Sequence, residues 1–290
     1  MKFLIVGGDM RIAWLAALLR REGHRVCCFA LDEAPAELTG SCALSPSALP
    51  DADCVILPLP VLGPGGGLNA PLSAFSYDIE DIFAAVPKTT VVCGGLPGEG
   101  VLRAAAEQGL DFIDYFKREE LVALNALATA EGALDVILKS SPLTIWDSHV
   151  LITGYGRIGK LLATRLRALG AHVSVSARNE GDKAYIRANG FEALDTRTLG
   201  PELSGFDTVV NTVPARIFDR DRLKQIAPDA LCLDLASRPG GFDMDAAKEL
   251  DRNVIWALGL PSQTAPATAG RIIAETVLNI LREKAAQKEE

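Results

Sequence analysis

An apolar run, His149-Val150-Leu151-Ile152-Thr153, passes directly into Gly154-Tyr155-Gly156-Arg157-Ile158-Gly159-Lys160 and then into a helical stretch from Leu161 to Leu169. Strand, Gly-x-Gly-x-x-Gly turn and helix in that order leave few folds open, because each glycine has its own task. Gly154 makes the tight turn, Gly156 lets backbone N–H groups approach a pyrophosphate, and Gly159 lets helix pack closely on strand. The N-terminus of the helix adds partial positive charge. A further strand, residues 172–177, follows at the spacing of a βαβ unit. The run therefore predicts a dinucleotide site built from Gly154, Tyr155, Gly156, Arg157, Ile158 and Gly159.

A chain of 290 residues, nearly half of them apolar, has room for two domains with cores of their own. Its net charge of −8 and lack of a Lys/Arg tract argue against nucleic acid as a partner. No uninterrupted apolar run reaches about 18 residues, so no membrane span is expected. The opening Met1–Asp9 reads as a first strand, because Gly7, Gly8 and Asp9 end it too early for a signal segment. Cys27, Cys28, Cys42, Cys54, Cys93 and Cys232 form no Cys-x-x-Cys and fall mostly in expected strands, as buried thiols of a cytoplasmic protein would. His24, His149 and His172 lack ligand spacing, so no metal is expected.

Strands and helices alternate throughout, which predicts an α/β fold of two doubly wound parallel-sheet domains joined by a long helix. In the first half strands are expected over 2–6, 25–30, 53–57, 89–93 and 111–113. Helices are expected over 11–21, 79–85 and 101–108. Residues 57–71, rich in Pro and Gly, read as a mobile loop at the carboxyl edge of that sheet, where open α/β sheets bind ligands. A helix over 119–139 links the halves. Strands over 149–153, 172–177, 191–194, 207–211, 230–234 and 253–256 follow. Residues 259–270 read as a Pro-punctuated loop ending in a Thr268 N-cap. A final helix over 268–283 carries an apolar stripe that suits packing back on the first domain, with a frayed tail over 284–290. The domains are thus expected at 1–140, 141–265 and, for the returning helix, 266–290.

The second strand of the dinucleotide unit ends Ser174-Val175-Ser176-Ala177-Arg178-Asn179. The acidic residue that commonly binds the ribose 2′-OH of NAD is missing, and Ser176, Arg178 and Asn179 stand where a 2′-phosphate would lie. NADP is therefore expected over NAD; the alternative has Glu180 taking the ribose. Thr212, Val213 and Pro214, and Arg238 within Ser237-Arg238-Pro239-Gly240-Gly241, follow two later strands and extend the site.

In the first half, Gly7-Gly8-Asp9-Met10-Arg11 is no second dinucleotide motif. The amides near Gly8, together with Arg11, suit a carboxylate, unless Arg11 simply pairs with a surface acid. On the linking helix, Asn125 and Thr129 share a face and suit a cleft lining.

Taken together, Gly-Gly-Asp-x-Arg, Asn-x-x-x-Thr-Ala-Glu-Gly (125–132), Gly-x-Gly-Arg-x-Gly and Gly-Leu-Pro…Ala-Pro-x-Thr-Ala-Gly (259–270) resemble the A subunits of dipicolinate synthase, in order and over almost the whole chain. Three positions depart from that pattern: Ile12 stands for Gln, Ser262 for Gly and Ala267 for Lys. The resemblance implies two Rossmann-like domains and NADP-dependent oxidation of a dihydrodipicolinate-type ring, derived from 4-hydroxy-tetrahydrodipicolinate, to pyridine-2,6-dicarboxylate. It also implies partnership with a flavoprotein-like B subunit, in the mother cell of a spore-forming bacterium. In that setting Gly8, Arg11, Asn125, Thr129 and Arg238 would hold the dicarboxylate, Leu260 and Pro261 would join the cofactor site, and Asp9 or Glu131 would accept the ring proton. Self-association into a homo-oligomer is compatible with this reading. Two alternatives stay open. A 2-hydroxyacid or shikimate-type dehydrogenase would need a His–carboxylate or Lys–Asp pair, and neither the histidines nor Lys88 and Lys117 supply one. A non-catalytic NADP-binding regulatory subunit would leave the chemistry to a partner.

Overall fold

The computed structural model describes residues 1–43, 45 and 51–289. The chain divides into two units, Met1–Asn125 with Ala265–Glu290, and Ala126–Thr264.

The first unit contains β1 (Lys2–Val6), α1 (Met10–Arg21), β2 (Arg25–Phe29), α2 (Ala36–Thr39), β3 (Cys42–Ala43), β4 (Cys54–Ile56), α3 (Ile79–Ala84), β5 (Val91–Gly94), α4 (Gly98–Glu107) and β6 (Asp111–Asp114). Its six strands are all parallel, in the order β3-β2-β1-β4-β5-β6. Parallel strands covered on both faces read as continuous apolar runs, and β1 does. Phe3 and Ile5 share one core with Ile12, Leu15 and Leu19 of α1, while Leu4 and Val6 share another with Ile82, Phe83 and Val101. The Asp9 carboxylate caps α1 by accepting the Arg11 N–H at 3.0 Å.

The linking helix α5 (Glu119–Ser140) begins in the first unit and ends in the second. It is long and apolar enough to cross a bilayer by length and composition alone, with a mean hydropathy of 1.6 over an 18-residue window, although the uninterrupted runs in the sequence are shorter. Its leucines, valines and isoleucine supply most of that value, and Ala126, Ala128, Ala130 and Ala133 are buried.

The second unit contains β7 (His149–Thr153), α6 (Arg157–Ala168), β8 (His172–Ala177), α7 (Glu180–Ala188), β9 (Glu192–Asp195), β10 (Thr208–Asn211), α8 (Arg220–Gln225), β11 (Leu231–Asp234), α9 (Met244–Glu249), β12 (Val254–Trp256) and α10 (Leu260–Thr264). Its parallel order, β12-β11-β10-β7-β8-β9, reverses direction between β7 and β10. Ligands of such sheets bind outside the carboxyl ends of the strands at that switch point. The last helix, α11 (Pro266–Glu289), returns to the first unit. Ile272, Ile273, Val277, Ile280 and Leu281 join the core of Phe3 and Ile5.

Three local expectations are corrected. Residues 260–264 form α10 rather than loop, and α11 starts at Pro266, so Thr268 lies inside it and caps nothing. Pro266 can open the helix because its fixed φ suits a first turn, where its missing N–H would have no partner anyway. The tail is helical to Glu289, held in part by ion pairs of Glu283 with Arg118 and Lys284 with Asp111; Glu290 is outside the described residues. The loop over 57–71 is tied down by Val61 N–H to Gly95 O (2.9 Å), Asn69 N–H to Val61 O (2.9 Å) and Gly8 N–H to Asn69 O (2.8 Å), with Leu57, Leu59, Val61 and Leu68 buried.

Candidate functional site

A cavity of about 260 Å³ opens at the carboxyl ends of β7, β8 and β10. Its walls include Gly154, Tyr155, Gly156, Arg178, Asn179, Thr212, Val213 and Pro214. The glycines of the turn divide their work as the motif requires. Gly154 has φ +95°, and a Cβ there would stand 2.5 Å from Thr212 Oγ1 and 2.8 Å from Val213 Cγ2. A Cβ on Gly159 would collide with the Gly154 carbonyl, so α6 can approach β7 only without one. Gly156, the N-cap of α6, has φ −78° and faces open space. Any residue fits its backbone; what glycine preserves there is room for an incoming group beside the first amides of α6, which have no partners within the helix. The site thus fits a pyrophosphate by shape and polarity. Arg157 is exposed and Ile158 half-buried on the first turn of the same helix, and Tyr155 is buried, which raises its hydroxyl pKa.

At the end of β8, Arg178 is exposed and, among the described residues, its guanidinium makes no hydrogen bond or ion pair. Asn179 caps α7 by accepting the Asp182 N–H at 2.7 Å, and its amide donates to the Asp182 carboxylate at 2.6 Å. Asp182 is a wall residue that sequence reasoning missed; Asn179-Glu180-Gly181-Asp182 carries a cap followed three residues on by an acid, a pattern that could have revealed it. Glu180 does not line the cavity and pairs instead with Lys183 at 2.6 Å. Ser176, also a lining residue, is nonetheless fully buried and takes a hydrogen bond from Oγ1 of Thr196, which lines the cavity beside it, at 3.0 Å.

The remaining expected site residues lie elsewhere. Leu260 is buried in α10, against Gly132 of α5, with Pro261 buried beside it. Arg238 is exposed in the loop after β11. The Gly8 amide is already donated to Asn69 O, and the Arg11 guanidinium grips Asp9, with Nη2 to Oδ2 at 2.8 Å and a further bond to Leu59 O. Asp9 and Arg11 are therefore a closed pair rather than two open ligands. Glu131 stands 3.5 Å from Arg165. Asn125 is half-buried, at the end of the first unit's share of α5, and Thr129 is buried in the second unit's share. His149 and His172 stack at the amino edge of the sheet, 4.8 Å apart, opposite the carboxyl ends that form the cavity. Burial raises the thiols of Cys28 and Cys232 to about 12, which makes them inert core groups at neutral pH. Among the described residues no group of His, Cys, Asp and Glu could hold a metal ion.

Two family models divide the sequence. Residues 2–116 match the N-terminal domain of the dipicolinate synthase A subunit, and residues 113–257 match the NAD binding domain of D-isomer specific 2-hydroxyacid dehydrogenases. The dipicolinate synthase A subunit of Bacillus subtilis (strain 168) is 28% identical over 291 residues, covering 99% of this chain and 98% of its own. The chain carries the NAD binding domain of the D-isomer specific 2-hydroxyacid dehydrogenase family and is similar along its whole length to dipicolinate synthase A subunits. Crystal structures of two such A subunits superpose with a TM-score of 0.87. The Bacillus subtilis protein is 29% identical, covering 99% of this chain and 97% of that one, and the Bacillus halodurans protein is 26% identical, covering 97% of each. The cavity at Gly154–Gly159 falls inside the stretch that matches the NAD binding domain.

Proposed function

We propose that this chain is an NADP-dependent oxidoreductase that converts a dihydrodipicolinate-type ring, derived from 4-hydroxy-tetrahydrodipicolinate, to pyridine-2,6-dicarboxylate. The observation that carries the reading is full-length kinship with dipicolinate synthase A subunits combined with a glycine-lined cavity whose rim holds an unpaired guanidinium. NADP⁺, when bound, would supply the hydride acceptor, so that loss of a hydride and a proton from the ring would leave the aromatic diacid, with NADPH and H⁺ as the other products. Aromatisation favours the products, so the protein's part is orientation and charge recognition rather than covalent help.

The residues divide that work as follows. The first amides of α6, opened by Gly156, hold the pyrophosphate. Arg178 takes the 2′-phosphate as a bidentate donor, while Asn179 holds the Asp182 carboxylate to itself. The candidate dicarboxylate ligands are Asn125, Thr129 and Arg238, with Gly8 limited by its occupied amide and Arg11 by its bonds to Asp9 and Leu59 O. A cytoplasmic setting and partnership with a B subunit complete the proposal; six free cysteines suit a reducing compartment.

One observation favours a second reading. Both candidate proton acceptors are engaged in ion pairs, Asp9 with Arg11 and Glu131 with Arg165, as they would be in a nucleotide-binding regulatory subunit. The deciding experiment follows nicotinamide reduction with freshly made 4-hydroxy-tetrahydrodipicolinate and NADP⁺ or NAD⁺, with and without the B subunit. Faster reduction of NADP⁺ than of NAD⁺ supports the oxidoreductase. Nucleotide binding with no turnover in any arm supports the regulatory reading instead.

A further inference from the structure

Behind the cavity wall, three buried polar side chains form a chain of hydrogen bonds across the ends of β7, β10 and β11. Thr153 and Asn211 are fully buried, and Asp234 is 1% exposed. Thr153 Oγ1 donates to Asn211 Oδ1 at 2.7 Å. Asn211 Nδ2 donates to Asp234 Oδ1 at 2.7 Å and to Val213 O at 2.9 Å, while its Oδ1 also accepts the Val213 N–H at 3.2 Å. The Asn211 amide therefore grips both backbone groups of Val213, whose side chain packs at Gly154. On its other side the Asp234 carboxylate accepts the N–H groups of Gly241 at 2.6 Å, Ala236 at 3.1 Å and Phe242 at 3.4 Å. Gly241 has no space for a Cβ against the Asn211 amide, and Trp256 Nε1 closes the loop by donating to Ala236 O at 2.8 Å.

A buried carboxylate persists only where donors replace its water, and this one has four. Its charge fixes which way the Asn211 amide points, because only the NH₂ end can face it. That choice fixes Val213 and with it the lip of the cavity. We propose that Asp234 is a positioning residue for dinucleotide binding, acting through Asn211 on the Thr212–Pro214 lip; this rests on the reading of the cavity as the nucleotide site. The carboxylate does not line the cavity, so its influence passes through the groups it holds, the Asn211 amide first among them.

The test uses the full chain and measures the dissociation constants of NADP⁺ and NAD⁺ by calorimetry, at a temperature where circular dichroism shows each variant folded. Asp234→Asn offers one acceptor oxygen in place of two and turns donors toward Gly241 and Asn211; it is expected to weaken binding about tenfold or more, the effect of one lost charged hydrogen bond. Thr153→Val removes the hydroxyl at the far end of the same chain, with its 2.7 Å bond to Asn211 and a longer one to Val210 O, and decides the matter if Asp234→Asn does not fold; it is expected to weaken binding several-fold. Asp219→Ala removes an N-cap of α8 in the same unit and is expected to lower the unfolding midpoint without moving either constant. Wild-type affinity in Thr153→Val and in folded Asp234→Asn overturns the inference while leaving the site intact, and an equal loss in Asp219→Ala reduces the effect to general destabilisation and also overturns it. Failure of the wild-type chain to bind either nucleotide overturns the site reading and the inference together.

Discussion

The pairing of Gly156 with Gly159 separates nucleotide binding from folding within a single turn. Gly156→Ala puts a methyl group where no protein atom lies within 4 Å, on a backbone at φ −78° and ψ −166° that alanine adopts freely. Losing a glycine from the unfolded chain stabilises by about 0.4–1 kcal/mol, and alanine's weakness as an N-cap offsets a similar amount. The unfolding midpoint should therefore stay within about 2 °C of wild type. Binding should not survive as well. The methyl stands in the approach to the first amides of α6, and the loss of one amide–phosphate hydrogen bond costs about 1.5–3 kcal/mol, or roughly 10–150-fold in Kd. Gly159→Ala behaves differently, because its methyl meets the Gly154 carbonyl, which belongs to backbone and cannot swing aside. Overpacking of that kind costs about 1–3 kcal/mol and lowers the midpoint as well as the affinity. Calorimetric titration with NADP⁺ and thermal unfolding of the two variants provide the comparison. If Gly156→Ala binds within twofold of wild type, the phosphates do not pass where the turn is open, and the reasoning fails.

Three further outcomes are expected. Arg178→Glu replaces the guanidinium on the cavity rim with a carboxylate and should abolish any preference for NADP⁺ over NAD⁺; an unchanged ratio of the two Kd values removes Arg178 from the site. Gly270→Ala forces a methyl into the Arg11 carbonyl where α11 meets α1, and should destabilise by about 1–3 kcal/mol in urea titration, whereas a wild-type midpoint would mean that the two helices can separate at little cost. Arg118, bonded to Glu283 at 2.6 Å through both oxygens, holds that carboxyl below its ordinary 4.5. A depressed folded-state pKa contributes stability above the unfolded value and loses it as pH falls below about 4.5. Glu283→Gln should therefore flatten the acid limb of the midpoint-against-pH curve and leave no trace of that limb's Glu283 component.

Most of the fold was legible because the strands are short apolar runs and the helices carry clear punctuation. β7 and β8 fall at the residues where the hydrophobic pattern places them, and the Gly-x-Gly-x-x-Gly turn is shaped by its own glycines. The ends of α10 and α11 were less legible. Two prolines and two threonines between 261 and 268 read as a loop, yet Pro266 opens a helix rather than ending one. The walls of the cavity were partly visible: residues just after a strand can be read from spacing, and Arg178, Asn179 and Thr212–Pro214 were. Asp182 was not, since it reaches the cavity from the first turn of α7. The Thr153–Asn211–Asp234 chain was beyond reach for another reason. Its three members are far apart in sequence and meet only because parallel register sets Asn211 beside both Thr153 and Asp234. The occupied amide of Gly8 was hidden in the same way, since its acceptor lies in a loop some sixty residues on.

The return of α11 to the first unit has a consequence for how such a chain is made. Phe3 and Ile5 are synthesised long before the side chains that cover them, from Ile272 to Leu281. The stretch from Ala126 to Thr264 is complete well before that moment. On a ribosome the stretch between can therefore settle first, while β1 waits with an uncovered face until α11 has been made.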